Sequence, residues 1–249
     1  MIDTLVTTRV SSHAIAATEG RMRNTFCQAS GLFLIILSLA AAGIPAAAQP
    51  GPMELIPRIR PAVVESPEGA DLVAALRTGG LVMFFRHADT SGEPCDSSYR
   101  LGDRAGQRNI SAVGREQARR IGQRLRGLGI AVEMPVLAGP VYRARDTAEE
   151  AFGAAQVRVV DGLMADDYAG AQLDTILAEH RRLFATPPRQ PGFNVVLVGH
   201  RTPAIMIVGQ ALGGRALPEG GALVLRPLRQ GFEVLGVLDL VPVPWWDAC

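Results

Sequence analysis

Lysine is absent from the 249-residue chain, so all 25 of its strongly basic side chains are arginines. That absence removes whole classes of chemistry. A P-loop needs its lysine, and Schiff-base enzymes and Ser/Lys hydrolases need an amine, so none of these can be built here. A large charge imbalance is missing as well. The formal net charge is +1, which gives no broad field to attract nucleic acid or an anionic membrane. An anion must therefore be recognised by locally clustered arginines, whose planar guanidinium grips phosphate or carboxylate oxygens two at a time. The low-hydrophobicity, high-charge balance of a disordered chain is lacking too, since 48% of residues are hydrophobic and 20% charged. One well-buried domain with a small partner, and no nucleic acid, is the expectation.

The N-terminal apolar run, Leu32-Phe33-Leu34-Ile35-Ile36-Leu37-Ser38-Leu39, is shorter than the ~20 residues a spanning helix needs. Arg21 and Arg23 precede it and an Ala-rich stretch ending Pro45-Ala46-Ala47-Ala48-Gln49 follows, the charged, apolar, small-residue order of a secretory signal. Residues 1–48 are therefore expected to be a cleaved signal, with Met22 a more natural start than Met1, leaving no membrane span in a periplasmic or secreted product. Cysteine is scarce. Cys27 precedes the apolar run, which argues against a lipoprotein and sends it away with the signal, while Cys95 and Cys249 remain in an oxidising compartment. For these two a structural staple outweighs a reactive or metal-binding role.

Residues 49–67, rich in Pro and Gly, read as a flexible leader, and 68–249 as the folded domain. A short helix is expected around Asp71–Leu76, ended by Gly79-Gly80. Two apolar runs have the length of fully buried strands, Leu81-Val82-Met83-Phe84-Phe85 and Asn194-Val195-Val196-Leu197-Val198. Val136-Leu137-Ala138 is a third strand, 157–160 a short fourth, and 222–225 with 232–237 a closing pair. Helices are expected after the cap Ser111 (Ala118, Ile121, Leu125 and Leu128 on one face), over 142–152, over 171–184 and from Pro203. The polar loop 89–109 is long enough to be functional. This alternation predicts an α/β domain with a mainly parallel sheet, whose ligands sit beyond the C-terminal strand ends.

Two strands deliver a histidine at that end, His87 and His200, and a third leads through Gly139-Pro140 to Arg143. His180 falls mid-helix among Glu179, Arg181 and Arg182 and reads as a solvated residue. Arg86 and Arg143 are fixed cations suited to non-bridging phosphate oxygens, and nearby guanidiniums keep a histidine neutral and nucleophilic. A neutral imidazole in that grouping can form a covalent phosphohistidine, with the second histidine bonding the transferred group's oxygens.

These residues resemble the histidine phosphatase superfamily, with its phosphoglycerate mutase-like fold. Arg86-His87 after an apolar strand looks like its nucleophile motif, and Gly139-Pro140-Val141-Tyr142-Arg143-Ala144-Arg145-Asp146-Thr147-Ala148 like its second-arginine motif. Val198-Gly199-His200 matches the late histidine, and 109–118 the helix entry after the first loop, so the resemblance spans about Leu81 to Leu225. It implies a Rossmann-like mixed, mostly parallel sheet flanked by helices and a metal-free chemistry with no cofactor. His87 becomes the nucleophile, and Arg86, Arg143 and His200 the phosphoryl ligands, with Arg108 and Asn109 as further candidate contacts.

Two departures matter. Arg201 follows His200 where the acid phosphatase and phytase branch has its aspartate donor, which points to the mutase and short-phosphatase branch. The segment 161–168, where that branch places a glutamate donor, contains none, leaving Asp166 as the first candidate for the proton donor, with Asp167 beside it and Asp89 or Glu219 behind. The implied substrate is a small-molecule or glycolipid phosphate ester of the cell envelope. A phosphatase acting on phosphohistidine in proteins, and a phosphate-ligand binding protein without turnover, are the alternatives.

Overall fold

In the computed structural model, residues 57–244 are described. The expected signal, the first part of the leader, Cys27 and Cys249 lie outside them.

Seven strands form one sheet: β1 (Ala62–Val63), β2 (Val82–Arg86), β3 (Val136–Ala138), β4 (Val157–Val159), β5 (Val195–Gly199), β6 (Ala222–Pro227) and β7 (Phe232–Asp239). Their order is β1-β7-β6-β2-β5-β3-β4. The pairs β2·β5, β5·β3, β3·β4 and β1·β7 are parallel, whereas β6 runs antiparallel to both β2 and β7. The expected mixed, mostly parallel α/β sheet is what the chain forms. The helices are α1 (Pro67–Thr78), α2 (Ala112–Gly127), α3 (Tyr142–Phe152), the single turn α4 (Asp166–Ala169), α5 (Leu173–Phe184) and α6 (Arg201–Val208).

The two long apolar runs become the central strands because each side chain meets a helical layer on one face or the other. Met83 and Phe85 pack with Leu72 and Leu76 of α1, Ile121 and Leu125 of α2, and Ala144 and Ala148 of α3. Val82 and Phe84 pack on the opposite face with Leu183 and Phe184 of α5 and Ala204 of α6. Local signals set the helix starts: the Ser66 hydroxyl accepts from Gly69 N at 3.1 Å with Pro67 in the first turn, and the Ser111 hydroxyl accepts from Gly114 N at 2.9 Å.

Two expectations change. The fold begins before residue 68, because Ala62 and Val63 of the expected leader pair with Leu238 and Asp239 as the edge strand β1. Two residues flanked by Pro61 and a turn carry no readable period. His180 is fully buried rather than solvated. It shares the inward face of α5 with Ile176, Leu177, Leu183 and Phe184, and its ring meets Phe84 and Phe184 edge-on at 6.2 and 6.1 Å. The three- and four-residue steps from Ile176 to Phe184 were the signal, outweighed by the charged neighbours. No helix among the described residues is long and apolar enough to cross a membrane.

Candidate active site

The parallel strands β2, β5 and β3 point their C-terminal ends to one edge of the sheet, where a cleft of about 400 Å³ opens. Arg86 is the last residue of β2 and His87 the next; His200 follows β5; Arg143 lies in the first turn of α3, just beyond β3. All four line the cleft and are almost wholly buried, at 3–6% exposure. The His87 and His200 rings lie 5.6 Å apart. The cleft also takes in Arg108, Asp166 and Asp167, with Tyr99, Arg201 and Thr202.

The tautomer of His87 is fixed by its neighbour. Nδ1 sits 2.9 Å from the Ala88 carbonyl, an acceptor only, so Nδ1 carries the proton and donates it. Nε2 keeps its lone pair. Burial, then the charges of Arg86, Arg143 and His200, hold the His87 pKa well below its usual value. His200 is depressed likewise, by burial first and then by Arg143, His180, Arg86 and Arg108. Its Nε2, Arg143 Nε and Arg108 Nε are buried with no hydrogen-bond partner among the described residues. The two guanidinium nitrogens are buried donors, which cost about 1–3 kcal/mol each when left without partners, and an oxyanion reaching them would relieve that cost.

Several holding contacts lie outside the expected set. Arg143 Nη1 donates to both carboxylate oxygens of Asp96 at 3.1 Å, and Asp96 also accepts from Tyr168 OH at 2.7 Å and from Arg108 N at 2.9 Å. Burial and that carboxylate push the Tyr168 phenol up. Its ring meets Tyr99 edge-on at 5.4 Å. On the other side, Arg86 Nη2 donates to Glu219 Oε1 at 3.0 Å and Nη1 to the Leu217 carbonyl at 3.2 Å. Cys95, beside Asp96, is disulfide-bonded.

The remaining candidates separate. Asp166 and Asp167 both line the cleft, and burial raises the Asp167 pKa even though Arg143 Nη2, 4.0 Å away, opposes it. Asn109 does not line the cleft. Its amide donates to the carbonyls of Arg104 and Gln107, tying the loop to itself. Asp89 is likewise structural, accepting from Ser91 and from the Ser111 hydroxyl at 2.6 Å. Among the described residues no group of three or more His, Cys, Asp or Glu could hold a metal ion.

Residues 82–189 match the family described as histidine phosphatase superfamily (branch 1). This stretch of the chain resembles that superfamily. His200 lies beyond the matched residues and joins the site by geometry. No curated protein sequence matches the chain. Among solved structures, the protein histidine phosphatase SixA complexed with tungstate is 18% identical, covering 62% of this chain and 93% of its own, with a TM-score of 0.41. A mycobacterial glucosyl-3-phosphoglycerate phosphatase in complex with VO3 is 18% identical, with coverages of 63% and 97% and a TM-score of 0.44. The Entamoeba histolytica phosphoserine phosphatase mutant, bound to phosphoserine, is 12% identical, with coverages of 63% and 95% and a TM-score of 0.43.

Proposed function

We propose that the chain is an exported, metal-independent phosphatase that hydrolyses phosphate monoesters through a covalent phosphohistidine on His87. The observation that carries this reading is the pinned His87 tautomer, which leaves an unprotonated Nε2 beside Arg86, Arg143 and His200. Export rests on the order of charged, apolar and small residues before residue 49.

In the first step the Nε2 lone pair attacks phosphorus, forming the N–P bond as the ester P–O bond breaks. The guanidiniums of Arg86 and Arg143 hold the equatorial oxygens, and Arg108 and His200 supply further donors. The leaving oxygen takes the electron pair and needs a proton. Asp167 is the donor proposed, because burial raises its pKa and a bound phosphate dianion would raise it further. In the second step the Asp167 carboxylate accepts a proton from water as its oxygen attacks phosphorus. The N–P electron pair returns to Nε2, and inorganic phosphate leaves.

The substrate carries a single phosphate on a small molecule or on an envelope glycolipid headgroup, since the cleft is lined by polar and charged groups and has the size of a small ligand. The test is turnover of an aryl phosphate by the full chain and by His87→Ala. Loss of turnover and of an acid-labile, alkali-stable phosphoenzyme is expected in the variant. Undiminished turnover there would overturn the reading, and phosphate-ester binding without any released product would make the chain a binding protein.

A further inference from the structure

Glu219 is buried, does not line the cleft, and makes more contacts to the nucleophile's surroundings than any donor role requires. Its Oε1 accepts from Arg86 Nη2 at 3.0 Å and from Thr90 Oγ1 at 2.8 Å, and its Oε2 from Thr90 N at 3.1 Å. The same Oε1 lies 4.0 Å from His87 Nδ1, on the ring edge away from Nε2. The backbone around it closes the grip: Gly220 N donates to the His87 carbonyl at 2.9 Å, and the Gly221 carbonyl accepts from Arg86 N at 3.0 Å. Gly220 has φ +76°, and a Cβ there would fall 2.4 Å from the Gln117 amide, so this turn accepts only glycine.

This position rules Glu219 out as the proton donor for a leaving group on the Nε2 side. It suits another task. When Nε2 forms its bond to phosphorus, the ring still holds the Nδ1 proton donated to the Ala88 carbonyl, so a neutral imidazole becomes a phosphoimidazolium. Arg86, Arg143 and His200 face that ring, and the cations among them oppose its new positive charge, while Glu219 is the carboxylate nearest to it.

The geometry points to Glu219 as a positioning residue for the nucleophile, holding Arg86 in place and supplying the counter-charge for the imidazolium that His87 becomes on phosphorylation. The inference rests on the phosphohistidine reading above. The electron count is that of the two steps already given; Glu219 neither gains nor loses a proton, and its charge stabilises the state between them.

The two parts of the role separate kinetically. Loss of Arg86's anchor would slow both steps, because the arginine binds the phosphoryl group throughout. Loss of the counter-charge raises the energy of the intermediate, slowing its formation and hastening its breakdown. Glu219→Gln keeps an acceptor oxygen for Thr90 and Arg86 but removes the charge. In rapid-quench experiments with 4-nitrophenyl phosphate, E219Q should form phosphoenzyme about tenfold to a hundredfold more slowly than wild type, an electrostatic loss of the size expected at a buried site. The phosphoenzyme trapped from E219Q should hydrolyse faster than that of wild type, with Glu219→Asp between the two. Equal slowing of both steps, or no change in either, would overturn the counter-charge role.

A measurement on the wild-type chain keeps the test open if E219Q does not fold. In ¹⁵N NMR of the phosphoenzyme, Nδ1 should keep its proton from about pH 6 to about pH 9, since the Ala88 carbonyl and the Glu219 carboxylate both favour it. Loss of that proton near neutral pH would count against the inference. A wild-type enzyme that yields no phosphoenzyme overturns the phosphohistidine reading itself, and this inference with it.

Discussion

Arg86 and Arg143 face the same cleft, yet the structures that hold them differ. Arg86 ends a central strand and is gripped by the chain entering β6, through Leu217, Glu219 and Gly221, all buried at the sheet's edge. Arg143 begins a helix and is held by Asp96 from the loop 89–109, which is tied in turn to Tyr168 from α4. The inner wall is thus made of sheet and its continuations, the outer wall of a loop meeting the single helical turn α4. Such a division suits a fixed reaction centre beside an adaptable binding face.

The largest effect should come from the inner wall. His87→Ala is expected to lower kcat by on the order of 10⁴-fold or more with an aryl phosphate, while thermal unfolding stays close to wild type. If the variant keeps a tenth of the activity, the inner wall is not the reaction centre. Next comes the donor on the outer wall. Asp167→Asn should cost about a hundredfold with an alkyl phosphate but only a few-fold with 4-nitrophenyl phosphate, whose leaving oxygen needs little protonation. Equal losses on both substrates would move the donor role elsewhere, with Asp166→Asn the next variant to measure.

Asp96→Asn sharpens the contrast between the walls. It keeps an oxygen for Tyr168 OH and Arg108 N but removes the negative charge set against Arg143. Inhibition by inorganic phosphate should then tighten, by about fivefold, with kcat changed less than KM. A fall in kcat with KM unchanged would place Asp96 with the inner wall instead.

The smallest effect concerns the histidine that lies in the core. His180 Nδ1 donates to the Ile176 carbonyl at 3.0 Å, its Nε2 has no partner among the described residues, and burial holds its pKa below the usual 6.5. The unfolded chain therefore takes up this proton first, so the stability His180 lends is full above pH 6.5 and is lost as pH falls below it. His180→Phe should leave turnover unchanged, alter stability at neutral pH by about 1 kcal/mol or less, and flatten the acid side of the stability profile measured by denaturant unfolding. An unchanged acid side would assign that lability to His87 and His200 alone, whose pKa values are also depressed.

The same division explains what could be read from the sequence. The inner strands were legible because β2 and β5 are unbroken apolar runs, and a strand end predicts where Arg86, His87 and His200 emerge. The bounds of β3 and α3 also came through, since Gly139-Pro140 punctuates them. Glu219 did not stand out. The antiparallel course of β6 brings the start of that strand to the active edge, and the direction of a strand leaves no trace in its composition. Asp96, Tyr99 and Tyr168 escaped notice because loops joined by side-chain hydrogen bonds have no period. Asn109 lies off the cleft for the related reason that a polar side chain in a polar loop finds backbone partners as readily as a ligand.

The grip on Arg86 by Leu217 and Glu219 spans 131 and 133 residues of chain. A ribosome has made the nucleophile long before it makes what holds it. Until the segment before β6 is synthesised and docked, Arg86 lacks those partners and His87 lacks its nearest carboxylate. The chain therefore matures as a reagent only when its final strands arrive, and a product truncated after α6 would carry both histidines without the support that sets their chemistry.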